Sequence, residues 1–139
     1  MFGQKVTVAG TDASGTWSEG PMKGETKYSC AWWLGGPVFN DRATFVVVDV
    51  ISRPPVNEDQ IIAVSQYRGS EKEWKKKGVP IEITAIPGGD CRVYQRPEAP
   101  ITSCIGGAKG RGLVLDVAWP KGATARSLKP LVDKALSRL

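Results

Sequence analysis

Hydrophobic and polar positions alternate most clearly between Tyr28 and Leu34, where Tyr28, Cys30, Trp32 and Leu34 share one face at period two. This is the spacing of a half-buried strand. The break Gly35-Gly36-Pro37 and a turn through Asn40-Asp41 lead into Ala43 to Ile51, a β-branched run that is apolar on both faces apart from Thr44 and Asp49. Such a run predicts a central strand covered on both sides over part of its length. The two strands form the hairpin around which the other elements are expected to pack, with Cys30 buried on its core face.

Upstream, Lys5 to Val8 predicts a short strand, and the Gly-, Ser- and Thr-rich stretch that follows is a loop anchored by Trp17. Asp12-Ala13-Ser14-Gly15-Thr16 has oxygens at alternate positions but lacks the further carboxylates and closing glutamate of a calcium loop, so it reads as a turn. Downstream, Arg53-Pro54-Pro55 ends the central strand. Asn57 caps a helix whose first turn carries Glu58 and Asp59 and whose packed side is Ile61, Ile62, Val64 and either Tyr67 or Arg68. Gly69 is expected to interrupt it. The capping-box spacing of Ser70 and Glu73 then predicts a second short turn through Trp74 and Lys75-Lys76-Lys77 to Gly78.

Alternation resumes at Pro80 to Ile86, with Ile81, Ile83 and Ala85 inward and Pro87-Gly88-Gly89 closing the strand. Cys91 to Gln95 and Ile101 to Ile105 predict two strands that fold back through Arg96 to Pro100. A hairpin centred on that link places Cys91 opposite Cys104, within disulfide reach. Gly106 to Gly112 is rich in glycine but lacks the Gly-Lys-Ser/Thr ending of a phosphate loop, and it runs into the alternating strand Leu113 to Trp119. It therefore reads as a hairpin connection. Last, Leu128, Leu131, Val132, Ala135, Leu136 and Leu139 form the stripe of an amphipathic helix capped by Thr124 or Ser127, with Pro130 in its first turn.

These elements predict an α+β fold: an antiparallel sheet of about five or six strands with helices packed on one face, a two-layer sandwich. A chain of 139 residues with 41% hydrophobic content makes one domain, 1–139, with 1–26 as its loop-rich N-terminal segment. No apolar run approaches the ~20 residues of a membrane-spanning helix. The N-terminus lacks a signal-peptide core, which fits a cytoplasmic protein or an exported chain whose signal has been removed.

Charge and chemistry narrow the function further. The net charge of +5 is concentrated after Pro120, where Lys121, Arg126, Lys129, Lys134 and Arg138 face a single acid, Asp133. The first reading is a solvated helix face. The alternative is a surface for nucleic acid or another polyanion, formed by that helix and Lys75 to Lys77. The chain has no histidine, which excludes Ser/His and Cys/His catalysis, and no metal-ligand spacing is present. Neither a metal nor a cofactor is expected. Asp49 and Asp116 each interrupt an apolar strand and are the one carboxylate pair available to a hydrolase. In the structural alternative, Asp49 pairs with Arg53 or Arg92 and Asp116 marks the solvent face.

The strand at Cys30-Ala31-Trp32, the following hairpin, a helix, a glycine-bounded meander with cysteines and a closing amphipathic helix together resemble the small secreted lipoprotein and sensor-like domains of actinobacteria. The resemblance covers Lys27 to Leu139 and has Cys-x-Trp as its residue-level motif; the lipid-attachment cysteine and export signal of that group are lacking. It implies an extracytoplasmic, envelope-exposed domain that binds a protein or small-molecule ligand without catalysis. The candidate ligand-binding residues are Trp33, Trp74, Lys109 and Arg111, an aromatic and glycine-loop surface in which the two cations can meet an anion.

Overall fold

The structure, a computed structural model, describes residues 6–12, 14–34, 44–118 and 125–139, with the side chains of 6–12, 32–34, 44, 66 and 125–128 outside that description. In chain order its elements are β1 (Val6–Asp12), β2 (Gly15–Thr16), β3 (Thr26–Leu34), β4 (Thr44–Ile51), α1 (Glu58–Val64), α2 (Gln66–Lys76), β5 (Ile81–Ile86), β6 (Gly89–Tyr94), β7 (Ile101–Ala108), β8 (Arg111–Ala118) and α3 (Ala125–Ser137). The strands form one sheet in the order β1-β3-β4-β8-β7-β6-β5, with β2 beside β3, and every pairing is antiparallel. The α+β class holds. The strand count exceeds the expected five or six because residues 6–12 and the stub at Gly15–Thr16 both join β3.

The helices lie on both faces of the sheet rather than on one, and the pattern of β8 gives the reason. Leu113, Leu115 and Val117 pack with Val132 and Leu136 of α3, whereas Val114 packs with Val64 of α1, and Ala118 lies in the cluster with Tyr67 and Trp74 of α2. Successive strand residues point to opposite faces, so an apolar run on both faces needs cover on both. Residues 112–118 are accordingly all buried.

Cover is uneven at the edges, and two expectations change there. On β3 it is Ser29 and Ala31 that are buried, while Tyr28 is 67% exposed and Cys30 is exposed. The described part of the predicted core face, Tyr28 and Cys30, is thus open, because α3 packs against β5 to β8 and does not extend to this side. On the far edge, Ile83 is 56% exposed and Ala85 is also exposed, contrary to their inward assignment. β5 is an edge strand that contributes Ile81 to the α2 side and Ile86 to the α3 side.

Local signals fared well at turns and caps. The Asn57 carboxamide oxygen accepts the Gln60 N–H at 3.0 Å, which caps α1. Trp17 packs beside Met22, Ile51 and Val64, anchoring the N-terminal loop as expected. Cys91 lies opposite Cys104 in the β6–β7 register, and the two form a disulfide. The glycine-rich stretch is the β7–β8 hairpin, whose turn residues Lys109 and Gly110 have φ of 52° and 76°, the backbone of a type I′ turn. The connection from 35 to 43, with its expected Asn40-Asp41 turn, lies outside the described residues.

Two helix boundaries differ from expectation. α2 runs through Gly69, and the break falls instead at Ser65, which is extended at φ −140° and ψ 109°. A Cβ on Gly69 would lie 3.2 Å from the Ile62 side chain, so glycine permits the close approach of the two helices. In α3, Pro130 is the sixth helical residue rather than part of the first turn, since the helix starts at Ala125. Proline there removes one ladder hydrogen bond, and the stripe of Leu131, Val132, Ala135 and Leu136 packed on the sheet holds the helix in place.

Candidate functional site

The four residues nominated from sequence do not converge. Trp33 pairs with Phe45 near the end of the sheet where Ala118 lies, and its side chain is outside those described. Trp74 is half-buried, packed at 4.8 Å from Tyr94 and 6.5 Å from Tyr67 with the Arg96 guanidinium 5.4 Å over its ring. It holds α2 to the sheet. Lys109 and Arg111 are exposed at the opposite end of the β7–β8 hairpin. The length of β8 from Arg111 to Ala118 separates the two ends, roughly 24 Å at ~3.4 Å per residue.

The basic residues are divided in the same way. α2 and α3 lie on opposite faces, so Lys75 to Lys77 and the cations of α3 do not form one surface. Lys75 bonds Glu71 at 2.8 Å, Lys77 bonds Glu73 at 2.9 Å, and Lys129 pairs with Asp133. Lys134 and Arg138 form no ion pair among the described residues.

Those two cations border a pocket of about 290 Å³ at the flank of α3. Its other walls are Val46 and Val48 of β4, Leu113 and Leu115 of β8, and Leu131 and Ala135 of α3. The helix stripe seats α3 over β5 to β8, and where it stops the apolar face of β4 is left partly open. Val48 and Val50 are only half-buried, and their register partners on β3 are the exposed Cys30 and Tyr28. An apolar strip therefore continues from the pocket wall toward the side of the sheet. Comparison with family models, with curated proteins and with solved structures found no match.

The other face of the sheet carries a buried polar seam. Ser65 sits where the chain passes from α1 to α2, and its hydroxyl lies 3.1 Å from the Ser103 hydroxyl and 3.3 Å from both Asp116 carboxylate oxygens. This network draws Ser65 out of the helix. Arg68 donates to the Ser103 carbonyl at 2.9 Å and pairs with Asp90 at 2.6 Å. Arg92 bridges Asp90 and Glu71, and Glu71 also accepts from the buried Tyr94 hydroxyl at 2.8 Å. Burial acts to raise the Glu71 pKa, but the hydrogen bonds from Lys75, Arg92 and Tyr94 outweigh it and hold the carboxyl at about 2.

Asp49 and Asp116 lie on this face as diagonal neighbours, since Val47 pairs with Asp116 and Asp49 pairs with Val114. Each is 6% exposed. Burial pushes Asp116 up to about 7; the Ser103 and Ser65 hydroxyls oppose the shift and the Asp49 charge adds to it. Burial also raises Asp49, against its Ser29 hydrogen bond and the Lys27 charge, and its Oδ1 has no hydrogen-bond partner. Neither arginine suggested from sequence pairs with Asp49: Arg53 binds Glu25, and Arg92 binds Asp90 and Glu71. Nor does Asp116 mark a solvent face. The pair shares a face, but both carboxylates are buried, Asp116 against Ser65 at the α1–α2 junction and Asp49 beside Ser29, rather than set in an open cleft. Among the described residues no group of three or more His, Cys, Asp or Glu is arranged to hold a metal.

Lys134 and Arg138 entered the sequence reading only as cations of a helix surface for a polyanion, and Val48 only as part of a strand. The signal for the first two was present, as two cations four residues apart flanking the apolar stripe of α3. The wall supplied by β4 depends on which strand lies next to the helix, and no local pattern records that.

Proposed function

We propose that this protein is a non-enzymatic ligand-binding module of an oxidising, extracytoplasmic compartment such as the cell envelope, and that its ligand occupies the pocket between α3, β4 and β8. The observation that carries this reading is an apolar pocket of about 290 Å³ with cations at its edge, close to the ~300 Å³ lower bound of small-molecule sites. The compartment is supported by the Cys91–Cys104 disulfide, whose cysteines are each 1% exposed, since such bonds persist where thiols are not kept reduced. No helix among the described residues is long and apolar enough to cross a membrane.

The test is titration with the neutral fluorescent probe N-phenyl-1-naphthylamine, which brightens in apolar surroundings. The expected result is saturable binding that weakens at least fivefold in Ala135→Phe, because the larger side chain fills the pocket from the helix side. Absence of saturable binding, or equal binding by the variant with its fold intact, overturns the reading.

A further inference from the structure

We propose that the ligand of this pocket is a single-chain anionic amphiphile, with its acyl chain against the aliphatic walls and its carboxylate on Lys134 and Arg138. The inference rests on the pocket being the ligand site and adds the chemistry of the occupant.

The lining argues for the chain. Apart from the two cations, every lining side chain among the described residues is aliphatic: Val46, Val48, Leu113, Leu115, Leu131 and Ala135. A sugar, nucleotide or extended peptide buried there would lose hydrogen bonds to water and find no replacements. Size argues for one chain, because about 290 Å³ lies at the low end of the ~300–1,000 Å³ range of small-molecule sites. A two-chain lipid exceeds it. A longer single chain has an exit, since Val48 faces Cys30 across the β3–β4 register and Val50 faces Tyr28, which is 67% exposed.

The cations argue for the head group. Lys134 and Arg138 stand one helical turn apart on one side of α3, where like charges repel. Lys129 on the same helix is paired with Asp133, but no acid among the described residues pairs with these two. A helix C-terminus favours cations in its last turn, which explains their presence but not their common position beside the pocket. A carboxylate between them relieves the repulsion, and the adjoining acyl chain then points away from the helix across β4.

Decanoate, decanol and decyltrimethylammonium separate these contributions, each read by displacement of bound N-phenyl-1-naphthylamine and by the alkylation rate of Cys30, the chain's one free thiol. Decanoate is expected to displace the probe and slow the alkylation. Decanol is expected to bind about tenfold more weakly, equivalent to ~1.4 kcal/mol, and the ammonium more weakly still. In Lys134→Ala/Arg138→Ala, which alters two exposed side chains, decanoate should fall to the level of decanol.

Equal binding of decanoate and decanol overturns the head-group assignment and leaves the apolar site standing. Displacement by none of the three overturns the pocket as ligand site together with this inference. Displacement that leaves Cys30 alkylation unchanged places the ligand elsewhere and has the same consequence. A Cys30 protected without amphiphile in a protein that sediments as a dimer gives this face to a second copy and also overturns the inference.

Discussion

Replacing Asp116 by asparagine should stabilise the protein strongly at pH 8 and far less near pH 4.5. The side chain is 6% exposed, and its pKa is raised from 3.8 to about 7 mainly by burial. Between those values the unfolded chain has given up the proton that the native state retains, so native stability falls as pH rises through this window. A shift of about three units at ~1.36 kcal/mol each is on the order of 4 kcal/mol once both states are ionised. Asn keeps the shape of the protonated acid and carries no charge at any pH. Its amide group can donate to the Ser65 and Ser103 hydroxyls, which accept as well as donate.

The assay is urea unfolding followed by tryptophan fluorescence at pH 4.5, 6 and 8, comparing Asp116→Asn with the parent protein. The difference should grow with pH from about 1 kcal/mol at pH 4.5 to on the order of 4 kcal/mol at pH 8. Asp49→Asn should act in the same direction because burial raises that carboxyl too. The double variant should gain less than the sum, since the Asp49 charge contributes to the Asp116 shift. A difference that does not vary with pH, or a variant less stable than the parent at pH 8, refutes the reasoning.

Other predictions concern the frame around the two faces. Glu71→Gln should cost about 3 kcal/mol in urea unfolding, because it breaks a buried charge network around Arg92 and Tyr94. In the parent, the stabilisation from Glu71 is complete above 4.5 and disappears as pH falls through about 2, so together with Asp116 it places maximal stability near pH 4.5. Gly89→Ala should destabilise by at least ~3 kcal/mol or prevent folding, since its Cβ would lie 2.0 Å from the Ile105 carbonyl oxygen. Lys109→Asn should raise the Tm by about 2 to 4 °C by relieving a positive φ in the type I′ turn, as calorimetry can show. Reducing the Cys91–Cys104 bridge, with 13 residues of separation, should cost about 3 kcal/mol in the same urea assay.

The sequence by itself determined the features that depend on near neighbours. Period-two alternation located β3 and β8, a β-branched run apolar on both faces located β4, Asn57 announced its helix, and the proline-bounded link fixed the register that joins Cys91 to Cys104. The stripe of α3 was equally legible, because side chains three and four residues apart share a helix face whatever lies beyond it. Tertiary structure decided which faces were covered. Tyr28 and Cys30 match a core strand in pattern, yet they stand open because α3 is seated over other strands, while Asp116, polar and flanked by apolar residues, is buried because β8 runs through the middle of the sheet. Ser65 ends a helix that Gly69 was expected to end, through bonds to Ser103 and Asp116 far away in the chain. The pocket follows the same rule: its cations lie four residues apart on one helix, but its walls come from strands separated by more than sixty residues, brought together only by the order in which the sheet assembled.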